Sequence, residues 1–477
     1  MLFVRRPMVS ITTWIPSAIL CLLSPGSAFA WTPDARLTEA AFSSDTPFPF
    51  VDAGGRTHLV WEDNREGASD IYYKVLDGGV WSADERLTDD PAGQFWPSIV
   101  SDASGTLHVV WHDQRHGNAE IYRKTWDGVS WSPDERVTDE PAVSLRPTVA
   151  VTPSNELHVA WFDSRDENFE IYWKRWDGTS WSADTRITDN PGYSREPALA
   201  ADSLGHVHLV WSDDESGDLE IYYAEWDGAS WSPAERITNS AGFSEYPAIA
   251  AEADGTVHVA WVDGRTGQNA VFYKRRVAGI WGGDTPLSDS PHWTYGVSLA
   301  VDGSGCIHAV WTDQRDGNYE IYYKECHEGL WLADERITDD PNSSLQAVVA
   351  CVPTGDVHVV WSDSREGAGN TELFWKVKEG ASTVGVVANE TPLPGILCAP
   401  NPFTGTTRFT APGAAITGAL RIFDSAGRFV RTLAPGREAS AVTYEWDGRD
   451  AAGRPCAPGV YFYSAGSGPA GRTVKLR

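Results

Sequence analysis

From residue 31 to about residue 380, short apolar runs alternate with clusters of Gly, Asp, Asn and Pro. Within the runs, hydrophobic and polar residues alternate with a period of two. No stretch shows the 3.6-residue spacing of an amphipathic helix. One unit shows the pattern. Pro97-Ser98-Ile99-Val100-Ser101 is a short strand that ends in the turn Asp102-Ala103-Ser104-Gly105. Leu107 to His112 alternates and forms a second strand. The polar segment Asp113 to Asn118 leads to a third, Glu120 to Lys124. An Asp127-Gly128 turn then passes through Trp131 to a fourth, Glu135 to Thr138. Four short antiparallel strands separated by turn residues are the signature of one propeller blade.

The unit repeats every 50 residues. Trp31, Trp81, Trp131, Trp181, Trp231, Trp281 and Trp331 keep that interval without a slip, as do Trp61, Trp111, Trp161, Trp211, Trp261, Trp311 and Trp361. His58, His108, His158, His208, His258, His308 and His358 keep it too. A fixed period of this size marks a repeat architecture. The fourth-strand pattern occurs seven times, beginning with Ala35-Arg36-Leu37-Thr38, and the first three strands also occur seven times, ending near Lys376. The N-terminal strand is therefore expected to complete the last blade, closing a seven-bladed β-propeller and removing both exposed edges.

Beyond the repeat, residues 381–395 are expected to be a linker, and residues 396–477 a separate small β-sandwich of the immunoglobulin-like kind. Residues 1–30 have the layout of an export signal: Arg5 and Arg6, an apolar stretch from Ile11 to Leu23, and the small-residue pattern Ala28-Phe29-Ala30. No later segment is long and apolar enough for a membrane span.

Composition narrows the partners. The chain carries 38 Lys+Arg against 66 Asp+Glu, a net charge of −28, spread through every repeat. Such a surface repels phosphate backbones and anionic lipid, which disfavours nucleic acid and membrane binding. Six cysteines, one of them the leader residue Cys21, are too few for a disulfide-built scaffold. Cys306 with Cys326, on neighbouring strands, and Cys398 with Cys456, in the C-terminal region, are the two candidate pairs; spacing does not settle either.

Residues that recur in every blade point to scaffold. The tryptophan rings are expected to pack between blades. The histidines, one per blade, should lie too far apart to share an ion, so no metal site is expected. Asp63 and its six equivalents, followed in six blades by an arginine two residues on (Arg65 in the first, with Glu215 the exception), are expected to form bidentate pairs. Function is then left to positions where blades disagree. In the segments entering the first strands these are Phe95 and Trp96, Arg146, Arg195 and Glu196, Glu245 and Tyr246, and Trp293 and Tyr295. Aromatic rings with a few charged groups around a concave mouth suit a glycan or a protein ligand. No cofactor is expected; calcium stays open at hairpins such as Asp163 to Asn168, whose spacing matches no strong calcium loop.

The blade pattern "RLTDDP…HVVW.D.R.G..EIYY" resembles TolB-type periplasmic propellers, and turns such as Asp127-Gly128-Val129-Ser130-Trp131 resemble the Asp-box of the sialidase superfamily. The second resemblance implies a glycoside hydrolase with an arginine triad, a Tyr–Glu nucleophile pair and an aspartate acid. The Phe/Tyr-Arg-Ile-Pro motif of such enzymes is missing, since the first strand reads Pro47-Phe48-Pro49-Phe50. At the C-terminus, Asn401-Pro402-Phe403, Leu420 to Arg428, Trp446 to Asp450 and Gly459 to Phe462 resemble FlgD-type immunoglobulin-like or type IX secretion sorting domains. That resemblance implies outer-membrane passage through a secretion machinery and a place outside the cell or on its surface. The reading with most support is an exported, non-catalytic binding propeller. A sialidase-like hydrolase and a TolB-like assembly scaffold are the alternatives.

Overall fold

The computed structural model describes residues 31–379, except 41, 290, 291, 328, 354, 368 and 369, together with parts of 397–475. The signal segment, the linker and Cys21 lie outside the described residues. The chain divides near residue 383 into two compact units. The first holds seven antiparallel sheets, six with their strands in chain order and the seventh completed by the N-terminal strand. Blade two is typical: Gln94–Ser101, Leu107–Asp113, Glu120–Trp126 and Glu135–Arg136. The seventh sheet consists of Ser344–Cys351, Val357–Asp363, Glu372–Lys378 and the N-terminal strand Ala35–Arg36. Ala35 pairs with Trp375 and Arg36 with Phe374, so the chain ends close the ring as the strand count requires. The Glu372 carboxylate fastens this join, accepting hydrogen bonds from the Arg36 guanidinium at 2.8 Å and the Thr38 hydroxyl at 2.5 Å.

Second strands are buried on both faces because each lies inside its sheet and packs against the neighbouring blades. Trp61, Trp111, Trp161, Trp211, Trp261, Trp311 and Trp361 are fully buried. Apolar clusters join neighbours: Val60, Ile71 and Tyr73 of blade one pack with Ile99, Val109 and Trp111 of blade two. The other tryptophan ring seals the same seams from outside, as where Trp131 meets the Tyr73 ring edge-on at 5.1 Å. Each fully buried indole has a polar end to satisfy. Trp111 Nε1 donates to Asp113 at 3.0 Å, and Asp113 accepts a bidentate pair from Arg115. Arg115 also reaches Asp134, which pairs with Lys124 at 2.9 Å. Lys124 donates to the Leu87 carbonyl of the preceding blade. The Asp-x-Arg pair therefore fixes the hairpin within a blade, and the lysine makes the link between blades.

Five of the histidines bond across to the third strand, as His58 Nδ1 does to the Tyr73 hydroxyl at 2.8 Å, whereas His358 Nδ1 meets the Thr57 hydroxyl of the next blade at 3.0 Å. Burial depresses His108 and His358 to about 4 and His158 to about 3. The candidate Cys306–Cys326 pair is not bridged: both are free thiols. Register gives the reason. Cys326 stands opposite Ile307, one residue past Cys306, so the two thiols fall on opposite faces of the sheet. The Cys398 side chain, and with it the Cys398–Cys456 pairing, lies outside the described residues.

The second unit holds two four-stranded antiparallel sheets. Phe409, Val442, Tyr444 and Trp446 from one pack against Leu420, Ile422 and Leu433 from the other, giving a small sandwich. Among the described residues there is no helix long and apolar enough to cross a membrane.

Candidate functional site

Each first strand opens with a bulge. In blade two, Phe95 pairs with His112 and Ser98 with Val110, so the register slips between them. The residue inside the slip takes a left-handed backbone: φ is 50° at Thr46, 55° at Trp96, 48° at Arg146, 58° at Glu196, 54° at Tyr246 and 54° at Gln346. Blade six has Gly296 there, at 48°. Five of these residues precede a proline (Pro47, Pro97, Pro147, Pro197 and Pro247), which disfavours the right-handed helical region. A non-glycine residue held at positive φ costs about 1–3 kcal/mol and persists where the surrounding structure imposes it. A bulge of this kind re-aims a side chain. Here it turns one residue from every blade toward the central axis.

The result is a cavity of about 1040 Å³, lined lower down by small and apolar residues such as Pro147, Ala198, Ile249 and Val348. Around its mouth stand Thr46, Trp96, Arg146, Glu196, Tyr246 and Gln346, with Tyr295 and Tyr319 beside Gly296. These groups are already organised. The Arg146 guanidinium stacks on the Trp96 ring at 3.9 Å and meets Glu196 at 3.3 Å. Side chains of one blade hold the bulge of the next: Glu62 accepts the Trp96 N–H at 2.7 Å, Glu196 the Tyr246 N–H at 3.3 Å, and Gln346 the Thr46 N–H at 3.1 Å. Tyr295 meets Tyr319 edge-on at 5.6 Å. Burial raises Glu62 to about 7 and also raises Glu196 and Asp45. His112, buried and facing Arg146, is depressed to about 4. The mouth thus offers exposed ring faces, one guanidinium and carboxyl groups of weakened acidity.

Of the nine residues expected from sequence, Trp96, Arg146, Glu196, Tyr246 and Tyr295 line the cavity. Phe95, Arg195, Glu245 and Trp293 do not. Arg195 leans toward Tyr193 at 5.8 Å, and the exposed Trp293 stacks on Tyr295 at 6.3 Å outside the lining. Sequence reasoning missed Thr46 and Gln346, which occupy the same repeat position as Trp96. It also missed Glu62, which sits between the invariant Trp61 and Asp63 where the other blades carry His112, Phe162, Ser212, Val262, Thr312 and Ser362. Variation between blades was the signal in both cases. Asp302, Cys306 and His308 also come together, with their donor atoms within 4.8 Å of one another.

Residues 402–469 match the FlgD Ig-like domain family. No curated protein matches the chain. Among solved structures, the chain is similar to an ulvan lyase bound to -[GlcA(1-4)Rha3S]- (12% identity, 72% of this chain and 96% of that one, TM-score 0.52). It is also similar to a fungal alcohol oxidase of the AA5 family in complex with copper (12%, 94% and 99%, 0.52). A more distant likeness is to the intramolecular trans-sialidase from Ruminococcus gnavus (11%, 74% and 97%, 0.43). At these identities the likeness concerns fold. The chain is a seven-bladed β-propeller followed by a β-domain similar to the FlgD Ig-like family.

Proposed function

We propose that this protein is an exported propeller of the cell surface that binds a glycan at the mouth of its central cavity without cleaving it. The observation that carries the reading is the ring of left-handed bulge residues. Backbone strain is maintained in six non-glycine positions, and the side chains it aims inward are those that differ between blades. Trp96, Tyr246 and Tyr295 would stack on sugar faces, while Arg146, Glu196 and Gln346 would hydrogen-bond hydroxyl or acidic substituents. The fold likeness to a polysaccharide lyase supports the ligand class, and the FlgD-like domain with the leader pattern supports export and surface display.

Glycan-array binding by the purified protein tests the proposal. Trp96→Ala and Tyr246→Ala should each weaken binding about ten-fold, equivalent to about 1.4 kcal/mol. Unchanged binding in both variants overturns the site. The hydrolase alternative has one observation in its favour, the carboxyl groups of raised pKa at the mouth. Release of a fluorophore from glycosides, lost in Glu196→Gln, would replace the binding-only reading with that one.

A further inference from the structure

Blade six departs from its siblings at the turn joining its first strand, Thr294–Val301, to its second, Ile307–Asp313. Cys306 takes the place held by Arg56, Thr106, Glu156, His206, Thr256 and Asp356, and His327 that of Asp77, Asp127, Asp177, Asp227 and Val277. Donor atoms of Asp302, Cys306 and His308 lie within 4.8 Å of one another. His327 Nε2 lies 3.6 Å from Cys306 Sγ. The turn is at the far end of the first strand from the bulge, away from the glycan mouth. We propose that Asp302, Cys306, His308 and His327 form a site for one zinc-class divalent ion.

The chemistry of the donors supports this. Zinc takes four ligands from sulfur, imidazole nitrogen and carboxylate oxygen, at about 2.0–2.3 Å each. A group of ligand atoms this close needs only small side-chain rotations to surround such an ion. The imidazole of His308 is already oriented for the task. The Tyr323 hydroxyl gives its proton to Glu325 Oε2 at 2.7 Å and meets His308 Nδ1, also at 2.7 Å. With that proton committed, Nδ1 is the donor, and Nε2 presents its lone pair. Nε2 faces Asp302 Oδ2 at 3.5 Å, so two electron-rich atoms oppose each other beside a sulfur. This Tyr–His arrangement is the outer-shell support that fixes metal-binding imidazoles elsewhere.

Comparison within the ring isolates what is new. Blade one has the same His–Asp pair, but there Arg56 lies 2.7 Å from the Asp52 carboxylate and supplies the cation itself. Blade six replaces that guanidinium with a thiol and adds an imidazole. The carboxylates of Asp302 and Glu325 stand close to the Cys306 thiol. Those same carboxylates favour a dication. His327 is half-exposed, which leaves the ion a route from solvent.

Cobalt(II) titration of the reduced, chelator-treated full-length protein tests the site. One equivalent should bind, with a thiolate-to-cobalt charge-transfer band and the intense visible bands of four-coordinate cobalt. Zinc should displace it stoichiometrically. Cys306→Ser should abolish the charge-transfer band while Cys326→Ser keeps it, and His327→Ala, at an exposed position, should weaken binding at least ten-fold. Absence of the band in protein whose Cys306 thiol is verified as reduced overturns the proposal, as does its persistence in Cys306→Ser. Peptide mapping that finds Cys306 disulfide-bonded in the exported protein does so too.

Discussion

At the residue scale, the recurring polar groups act as a unit, and blade four demonstrates it. Where other blades carry arginine, lysine and aspartate (Arg115, Lys124 and Asp134 in blade two), blade four has Glu215, Ala224 and Ala234. All three are replaced together, which is what a coupled cluster demands: removing one partner leaves the others poorly compensated in a partly dry seam. Asp134→Ala alone should therefore destabilise the protein by about 2 kcal/mol, with a smaller loss when Arg115 and Lys124 are replaced in the same chain, read from urea midpoints as a mutant cycle. The buried histidines make a second prediction. Their folded pKa values, about 4 for His108 and His358 and about 3 for His158, lie below the ordinary value of 6.5. Between those limits the unfolded chain binds more protons. Stability is then fully present above about pH 6.5 and falls as pH drops toward 4, by about 1.4 kcal/mol per pH unit for each such histidine. Urea midpoints between pH 7 and 5 check this, and His158→Gln should flatten the slope.

At the scale of elements, the bulged first strand is where fold and site meet. Its backbone strain is a property of the position, since all seven blades share it whatever the side chain. Gly296 isolates the cost. A Cβ there would meet nothing within 4 Å, so Gly296→Ala should lose about 1 kcal/mol through conformation alone. Gln346→Gly should relieve the same strain but release the Thr46 N–H that Gln346 holds. A thermal melt of each checks the pair: the alanine variant should fall, and the glycine variant should change by less. None of this was visible in the sequence as strain. The proline after the bulge was visible, and so was the variation at the position. The register slip that turns the side chain inward was not, because it depends on pairing with a strand about a dozen residues away.

At the scale of the whole molecule, stability rests on closure. Each sheet is too small to bury its own faces, and its core is completed by its neighbours. The short strand Ala35–Arg36 lets the last seam form, with Glu372 gathering Arg36 and Thr38. Deleting residues 31–43 should expose the outer edge of Glu372–Lys378 and broaden unfolding from one transition into several. Calorimetry and the oligomeric state of the truncated protein check this, since an exposed edge is a template for pairing between chains.

The seven-fold sequence period by itself determined blade number, strand order and closure, because each follows from counting copies of one unit. It also identified most of the cavity mouth, since side chains that differ among identical scaffold positions are free of the scaffold's demands. Only the tertiary structure decided which of the variable residues share the mouth. Arg195 and Glu245 stand one residue from Glu196 and Tyr246, yet alternation along a strand sends them elsewhere. The same rule separated Cys326 from Cys306 and placed Cys306 beside His327. Direction across a sheet depends on cross-strand register, and register is fixed by packing between segments distant in sequence.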